Sequence, residues 1–234
     1  MAEPLPLFPL GHTVLFPGMV LPLHVFEERY QELVRTLVEL PEGARRRFGV
    51  VAIRQGWEVG EDAVSALHDV GCAAELRRVS RYPDGRYDIV TVGTDRFRLR
   101  SVDRESRPYL VGSVEWLPAE PPLGPAGQSG PAGAAGLADA VATLFAEYVD
   151  AVAGLQGRPS EDTELPDDPV QLAYAVAAAA VLTLEDRQAL LEADTTRARL
   201  GAELRLLKRE TTMVRRLRAL PVPIGELQVS QSLS

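Results

Sequence analysis

Nucleophiles and cations that could support catalysis are scarce in this chain. Lys208 is its single lysine, and it lies between Leu207 and Arg209 in a helical pattern. A P-loop needs a Gly-Lys-Ser/Thr turn to hold nucleotide phosphates, and a Ser–Lys peptidase needs a lysine beside its serine. The sequence therefore predicts neither nucleotide hydrolysis nor Ser–Lys peptidase chemistry, and we assign no catalytic residue.

Metal ligation and acid–base chemistry are poorly supported as well. Cys72 is the single cysteine, which excludes an internal disulfide and a thiolate-rich zinc site. The three histidines are His12, His24 and His68. Their spacing fits neither an i, i+4 ligand pair nor a zinc finger. The acid pairs are Glu27-Glu28, Glu61-Asp62 and Asp167-Asp168. We expect capping or solvated roles for them at helix starts and in loops, and we predict no metal and no cofactor.

Localisation and membrane contact can be predicted from composition and from the N-terminus. A lone cysteine fits a reducing compartment. No apolar run approaches the roughly 20 residues that span a bilayer, and the start Met1-Ala2-Glu3-Pro4 lacks the basic residues of a signal peptide. We expect a cytoplasmic protein with no membrane partner.

Residues 1–118 are predicted to form mostly strands. Short apolar or alternating runs recur at 48–53, 70–79, 87–100 and 109–114, with a turn signal at Pro83-Asp84-Gly85. In the run at 96–100, Phe97 and Leu99 are expected to point inward and the three arginines outward. One helix is predicted, with a stripe formed by Phe26, Tyr30, Leu33, Val34 and Leu37. Short strands separated by turns favour a barrel or a sandwich.

The second half of the chain is predicted to be helical. Residues 119–136 form a Pro/Gly/Ala-rich linker, 137–222 a helical bundle and 223–234 an extended tail. Asp168 and Thr183 are expected to cap helices, and the last helix to begin at Asp194 or Thr195. Segment 137–194 is acidic and segment 195–220 is basic. This charge pattern favours a monomer whose last helix docks on its own bundle, whereas the row Leu200, Leu204, Leu207 and Val214 leaves a coiled coil with a second chain as the alternative.

Several motifs together resemble the N-terminal domain of the Lon protease family. They are Leu5-Pro6-Leu7-Phe8-Pro9-Leu10, Phe16-Pro17-Gly18, Phe26-Glu27-Glu28-Arg29-Tyr30, Pro83-Asp84-Gly85-Arg86, Val92-Gly93-Thr94-Asp95-Arg96-Phe97 and Asp167-Asp168-Pro169. The resemblance implies an α+β fold, in which an N-terminal PUA-like β-barrel is followed by a C-terminal α-helical bundle. Full-length Lon proteases continue into an ATPase and a peptidase. The resemblance therefore implies a stand-alone bacterial member without those domains, in which any degradation would depend on a protease partner.

The function that the resemblance implies is non-enzymatic recognition of unfolded or hydrophobic protein segments, as an adaptor or a chaperone-like factor. The segment 10–16 is predicted as a strand between Pro9 and Pro17, followed by a tight turn, a second strand and the entry to the helix. The candidate peptide-binding residues are Phe8, Leu15, Phe16, Met19 and Leu23. The alternative is an RNA-binding module, because PUA-like folds elsewhere bind RNA. The net charge of −8 opposes that alternative, so no nucleic-acid partner is expected.

Overall fold

The chain divides into two compact units, Met1–Ala119 and Glu120–Ser234. The structure, a computed structural model, describes residues 2–56, 64–119, 134–159 and 164–218. Within those ranges the first unit carries seven strands and one helix and the second unit four helices, which confirms the predicted α+β class. Most of the predicted linker 119–136 and all of the predicted tail 223–234 lie outside the described residues.

The first unit is a closed barrel. Its elements are β1 (Glu3–Leu10), β2 (Val20–Val25), α1 (Glu28–Val38), β3 (Arg47–Gly56), β4 (Val64–Leu67), β5 (Val70–Arg81), β6 (Tyr87–Asp103) and β7 (Val111–Trp116). The first half of β1 pairs antiparallel with β7, and its second half pairs parallel with β3. The ring β1-β7-β6-β5-β3 therefore closes on itself, while β2 adds to β6 and β4 adds to β3.

Large side chains fill the barrel because small residues stand opposite them. Leu7, Phe97 and Val114 are fully buried in its core. A Cβ atom on Gly71 would lie 2.4 Å from the Phe97 ring, so this strand position has no room for a side chain. A glycine here lets the Phe97 ring occupy the space that a neighbouring side chain would need.

Strand β1 differs from the prediction that placed a strand at 10–16. It ends at Leu10 and contains Pro4, Pro6 and Pro9. The Leu7 N–H donates to the Leu110 carbonyl at 2.8 Å, and N–H directions alternate along a strand. The nitrogens of Pro4 and Pro6 therefore point away from β7. Both residues lie in the first half of β1, which does not pair with β3. The missing donors cost no ladder hydrogen bond there.

The predicted turn at 16–18 is confirmed and leads into β2. The Met19 N–H donates to the Phe16 carbonyl at 3.0 Å, and Gly18 has φ +81°. Proline and then glycine at the central positions are typical of a type II turn. Gly18 N–H donates to the Gly93 carbonyl and Gly93 N–H donates to the Met19 carbonyl, which is the pattern of a G1 bulge. A Cβ atom on Gly93 would lie 2.1 Å from the Phe16 oxygen, so the bulge requires glycine at this position.

Two expectations in the barrel were wrong. Helix α1 begins at Glu28, so Phe26 is not part of its buried stripe but precedes it and is exposed. Arg96 is only 7% exposed rather than outward-facing. The register between β5 and β6 shifts between the Cys72–Arg96 and Ala74–Gly93 pairs, and such a bulge interrupts the alternation on which the expectation rested.

The second unit contains α2 (Ala134–Gln156), α3 (Pro169–Ala179), α4 (Leu184–Glu192) and α5 (Thr196–Leu217). The Asp168 side chain accepts hydrogen bonds from Val170 and Gln171, and Thr183 and Thr195 cap α4 and α5. The predicted caps at Asp168 and Thr183 are thus confirmed. Helix α5 packs on α2 and α3 of its own chain, as the charge pattern predicted. Its buried seam contains Leu200, Leu207 and Val214, whereas Leu204 is only half-buried.

Candidate peptide-binding site

The five predicted binding residues occupy three different environments. Leu15 and Phe16 are 1% and 0% exposed, so they support the barrel core and offer no surface to a ligand. Met19 is half-buried beside the bulge. Phe8 and Leu23 come together in one groove of about 180 Å³ in the barrel unit. The groove is lined by Phe8, Pro9, Leu10, Leu23, His24, Val25, Phe26, Glu27 and Tyr30.

Aromatic rings form one wall of the groove. The Phe8 and Tyr30 rings stack with their centroids 4.1 Å apart, and the Phe48 ring lies 5.8 Å from that of Phe8. The Arg29 guanidinium lies 4.6 Å from the centre of the Tyr30 ring. Because Phe8 belongs to β1 and Tyr30 to the first turn of α1, the wall is fixed by two separate elements of the barrel unit.

Phe26 stands at the mouth of the groove and is 54% exposed. It immediately precedes Glu27, the N-cap residue of α1. An apolar residue at this position often packs against the residue at N4 of the helix, but N4 is Gln31, whose side-chain amide donates to the Phe26 carbonyl at 2.8 Å. The backbone of Phe26 is therefore held while its ring remains accessible. A polar residue at N4 is the signal in the sequence that could have identified this exposed ring.

A polar cluster adjoins Phe26 and is formed by His24 of β2, Asp88 of β6 and Tyr82, which directly follows β5. His24 Nδ1 lies 2.6 Å from Asp88 Oδ1, and the Tyr82 hydroxyl donates to Asp88 Oδ2 at 2.5 Å. These contacts, first that from Tyr82 and then that from His24, hold the pKa of Asp88 below its usual range. The ring of His24 lies 6.4 Å from that of Phe26 and 6.2 Å from that of Tyr82. Phe26, His24 and Tyr82 thus form a continuous aromatic strip with an ordered polar side.

Charged side chains around the groove pair with one another. Glu27 and Arg29 are 2.9 Å apart, and Asp84 and Arg86 are 2.7 Å apart. In each of these ion pairs the two residues are two positions apart in the sequence. Asp88 is engaged by His24 and Tyr82, so the carboxylates of Glu27, Asp84 and Asp88 each have a partner inside the barrel unit.

The arginine-bearing strands also carry partners for their charges. Arg77 pairs with Glu75 at 3.3 Å, and Arg100 pairs with Glu115 on the neighbouring strand. Arg47 pairs with Glu3 at 3.0 Å and lies 4.1 Å from the Trp116 ring. The contacts of Arg47 join β3 to β1 and β7. Arginines that are paired in this way are less available to contact a phosphate backbone.

Catalytic or metal chemistry finds little support in the described residues. Within them, no group of three or more His, Cys, Asp or Glu side chains is arranged to hold a metal ion. Cys72 is fully buried, and this burial raises the pKa of its thiol, so a reactive thiolate is disfavoured. None of the helices in the described ranges is long and apolar enough to cross a membrane.

The fold agrees with the family that sequence comparison identifies. The family described as the ATP-dependent protease La (LON) substrate-binding domain matches residues 4–209. The chain belongs to this family. Lon protease 2 of Syntrophobacter fumaroxidans is 28% identical over 205 residues, which cover 86% of this chain and 24% of that protein. Lon protease of Porphyromonas gingivalis is 34% identical over 118 residues, which cover 50% of this chain and 13% of that protein. The chain thus spans about a quarter or less of these relatives.

Two solved structures resemble the chain over most of its length. A Lon N-terminal domain protein from Xanthomonas campestris has 26% identity and a TM-score of 0.57, with 88% of this chain and 98% of that chain covered. The N-terminal domain of the Mycobacterium avium complex Lon protease has 16% identity and a TM-score of 0.62 at the same coverage, and it supports the fold alone. The Lon N-terminal fold implied by the sequence motifs is therefore confirmed.

Proposed function

We propose that this chain is a non-enzymatic recognition module that captures unfolded, apolar protein segments in the groove beside Phe26. The observation that carries this proposal is the exposed Phe26 ring above a wall of stacked aromatic residues. Leaving a large apolar ring in water disfavours the free protein, and covering it with a ligand removes that cost. Membership of a family of substrate-binding domains supports a polypeptide as the ligand.

The same site suggests how the module would work in a cell. As a non-enzymatic module, it would hold an unfolded segment as a chaperone-like factor, or present that segment to a protease partner as an adaptor. Phe8 and Leu23 from the predicted set contribute to the site, together with Phe26 and Tyr30. Leu15 and Phe16 would act only by supporting the barrel, because they are buried.

Binding of a labelled, permanently unfolded polypeptide such as casein tests the proposal. Phe26→Ser should weaken binding about four- to fifteenfold, because a ligand can cover the exposed 54% of a side chain whose full burial contributes about 1.5–3 kcal/mol. Leu217→Ser is the matched control, since Leu217 is 62% exposed but lies on α5 of the other unit. Equal effects of the two variants, or no effect of Phe26→Ser, would contradict the groove as the site.

Salt dependence separates this proposal from RNA binding. Contacts with phosphate weaken steeply as salt rises, whereas burial of apolar surface does not. We expect binding of casein to persist at high salt and to exceed binding of single-stranded RNA. Binding restricted to RNA and lost at moderate salt would favour the alternative function.

A further inference from the structure

The groove lies beside an unpaired strand edge. The Gly93 N–H donates to the Met19 carbonyl at 2.9 Å, so that carbonyl faces β6. The Thr91 hydroxyl donates to the Leu21 carbonyl at 2.9 Å, which agrees with this direction. Since backbone groups alternate along a strand, Val20, Pro22 and His24 direct theirs away from β6. We call this side the outer edge of β2, and in the described part of the chain no strand pairs with it.

The lining of the groove includes the last three residues of β2. Leu23, His24 and Val25 all line it, although consecutive side chains in a strand point to opposite faces. Three consecutive residues can all contact a groove at the end of β2 and beside its outer edge, where both faces are within reach. A ligand in the groove contacts His24, and an extended ligand that continues along β2 would reach the outward backbone groups of Pro22 and Val20.

We propose that the captured segment binds as an added strand along the outer edge of β2 and places one aromatic side chain in the groove. This inference rests on the proposed function and specifies the conformation of its ligand. An extended peptide that joins a sheet edge gains main-chain hydrogen bonds, and neighbouring pockets then select its side chains. Here the edge offers the carbonyl groups of Val20, Pro22 and His24 and the N–H groups of Val20 and His24.

Size and charge both favour an uncharged segment with a single ring at this position. The groove measures about 180 Å³, and an apolar protein cavity of about 150 Å³ can hold benzene. The rim carboxylates already have partners: Glu27 pairs with Arg29, and Asp88 accepts from the Tyr82 hydroxyl and contacts His24. A neutral segment leaves those pairs intact, whereas a charged one would have to compete with them.

Pro22 limits what can pair with the edge. It supplies a carbonyl but no N–H group, so a long, regular ladder along β2 loses a hydrogen bond at its centre. Proline on an edge strand is one device by which proteins avoid uncontrolled pairing with other sheets. The edge is thus suited to a short segment whose hold depends on the ring in the groove as well as on the backbone.

Backbone methylation of a synthetic ligand tests strand addition directly. The probe is a short, uncharged, labelled peptide of Ser, Thr and Val residues with one central phenylalanine, titrated against the intact chain. Replacing one peptide N–H at a time by N–CH₃ should weaken binding at every second position only. The loss should be at least about three- to tenfold at the sensitive positions, because each removes a hydrogen bond of about 0.5–1.5 kcal/mol. Replacing the central phenylalanine by alanine should weaken binding at least about tenfold.

The outcomes distinguish this inference from the proposed function. If binding depends on Phe26 but methylation has no effect, or has the same effect at every position, the groove binds peptides and strand addition is wrong. If the peptide binds equally well to the Phe26→Ser variant, the groove is not the site and both ideas fail. An alternating pattern that Phe26→Ser weakens throughout is the result expected here.

Discussion

Glu203 provides a sharp test of how the helical unit is packed. Its side chain lies in the buried seam of α5 with 1% exposure, and within the described residues neither carboxylate oxygen has a hydrogen-bond partner. Arg199, one turn earlier, donates from Nε to the Leu190 carbonyl at 2.9 Å and from Nη2 to the Ala193 carbonyl at 3.0 Å. Much of its hydrogen-bonding capacity is thus used at the end of α4. Burial therefore raises the pKa of Glu203 from 4.5 to about 8, against a smaller opposing effect of Arg199.

The change in pKa determines how stability depends on pH. In the unfolded chain Glu203 ionises above about pH 4.5, whereas in the folded chain it keeps its proton until about pH 8. Between these values the folded state binds the extra proton, so its free energy of unfolding falls as pH rises and levels off above about pH 8. At about 1.4 kcal/mol per pH unit, the largest possible loss is about 5 kcal/mol.

Glu203→Gln removes this titration while keeping the shape of the side chain. We expect the variant to gain stability over the natural protein as pH rises from about 5 to about 8, by several kcal/mol. The assay is urea unfolding of the intact chain followed by helical circular dichroism, with the carboxyl carbon of Glu203 observed by NMR as a direct check. The control is Glu210→Gln, which should destabilise because Arg209 contacts that carboxylate at 2.6 Å. A stability difference that stays constant across the pH range would refute the reasoning.

Three further predictions concern the organisation and chemistry of the chain. Limited proteolysis should cut first between residues 118 and 136 and release two fragments, and earlier cleavage inside the barrel would place the boundary elsewhere. Leu207→Asp should destabilise the helical unit by about 3–5 kcal/mol, because Leu207 is buried. Leu204→Asp should cost much less, and sedimentation at micromolar concentration should show a monomer. A dimer that Leu204→Asp converts into folded monomers would mean that the seam faces a second chain. The purified chain should turn over neither ATP nor casein, and turnover that survives Lys208→Ala would reveal an unrecognised site.

Local features were predicted well because their chemistry depends on neighbours in the sequence. The turn at Phe16-Pro17-Gly18 and the caps at Asp168 and Thr183 each depend on residues within three positions. Proline fixes its own φ, glycine permits a positive φ, and a short polar side chain reaches the amides of the next turn. The motifs around this turn and these caps also resembled those of the family. Such motifs determine where strands and helices begin and end.

The candidate site depended on contacts that local patterns do not encode. Leu15 and Phe16 were predicted to bind a ligand and are buried, whereas Phe26 was placed in the apolar stripe of a helix and is exposed. Glu203 lies in the buried seam of α5. The spacing of the seam positions alone would predict an apolar residue there. Hydrophobicity identifies which side chains favour burial, but only the packing of distant segments decides which of them are covered.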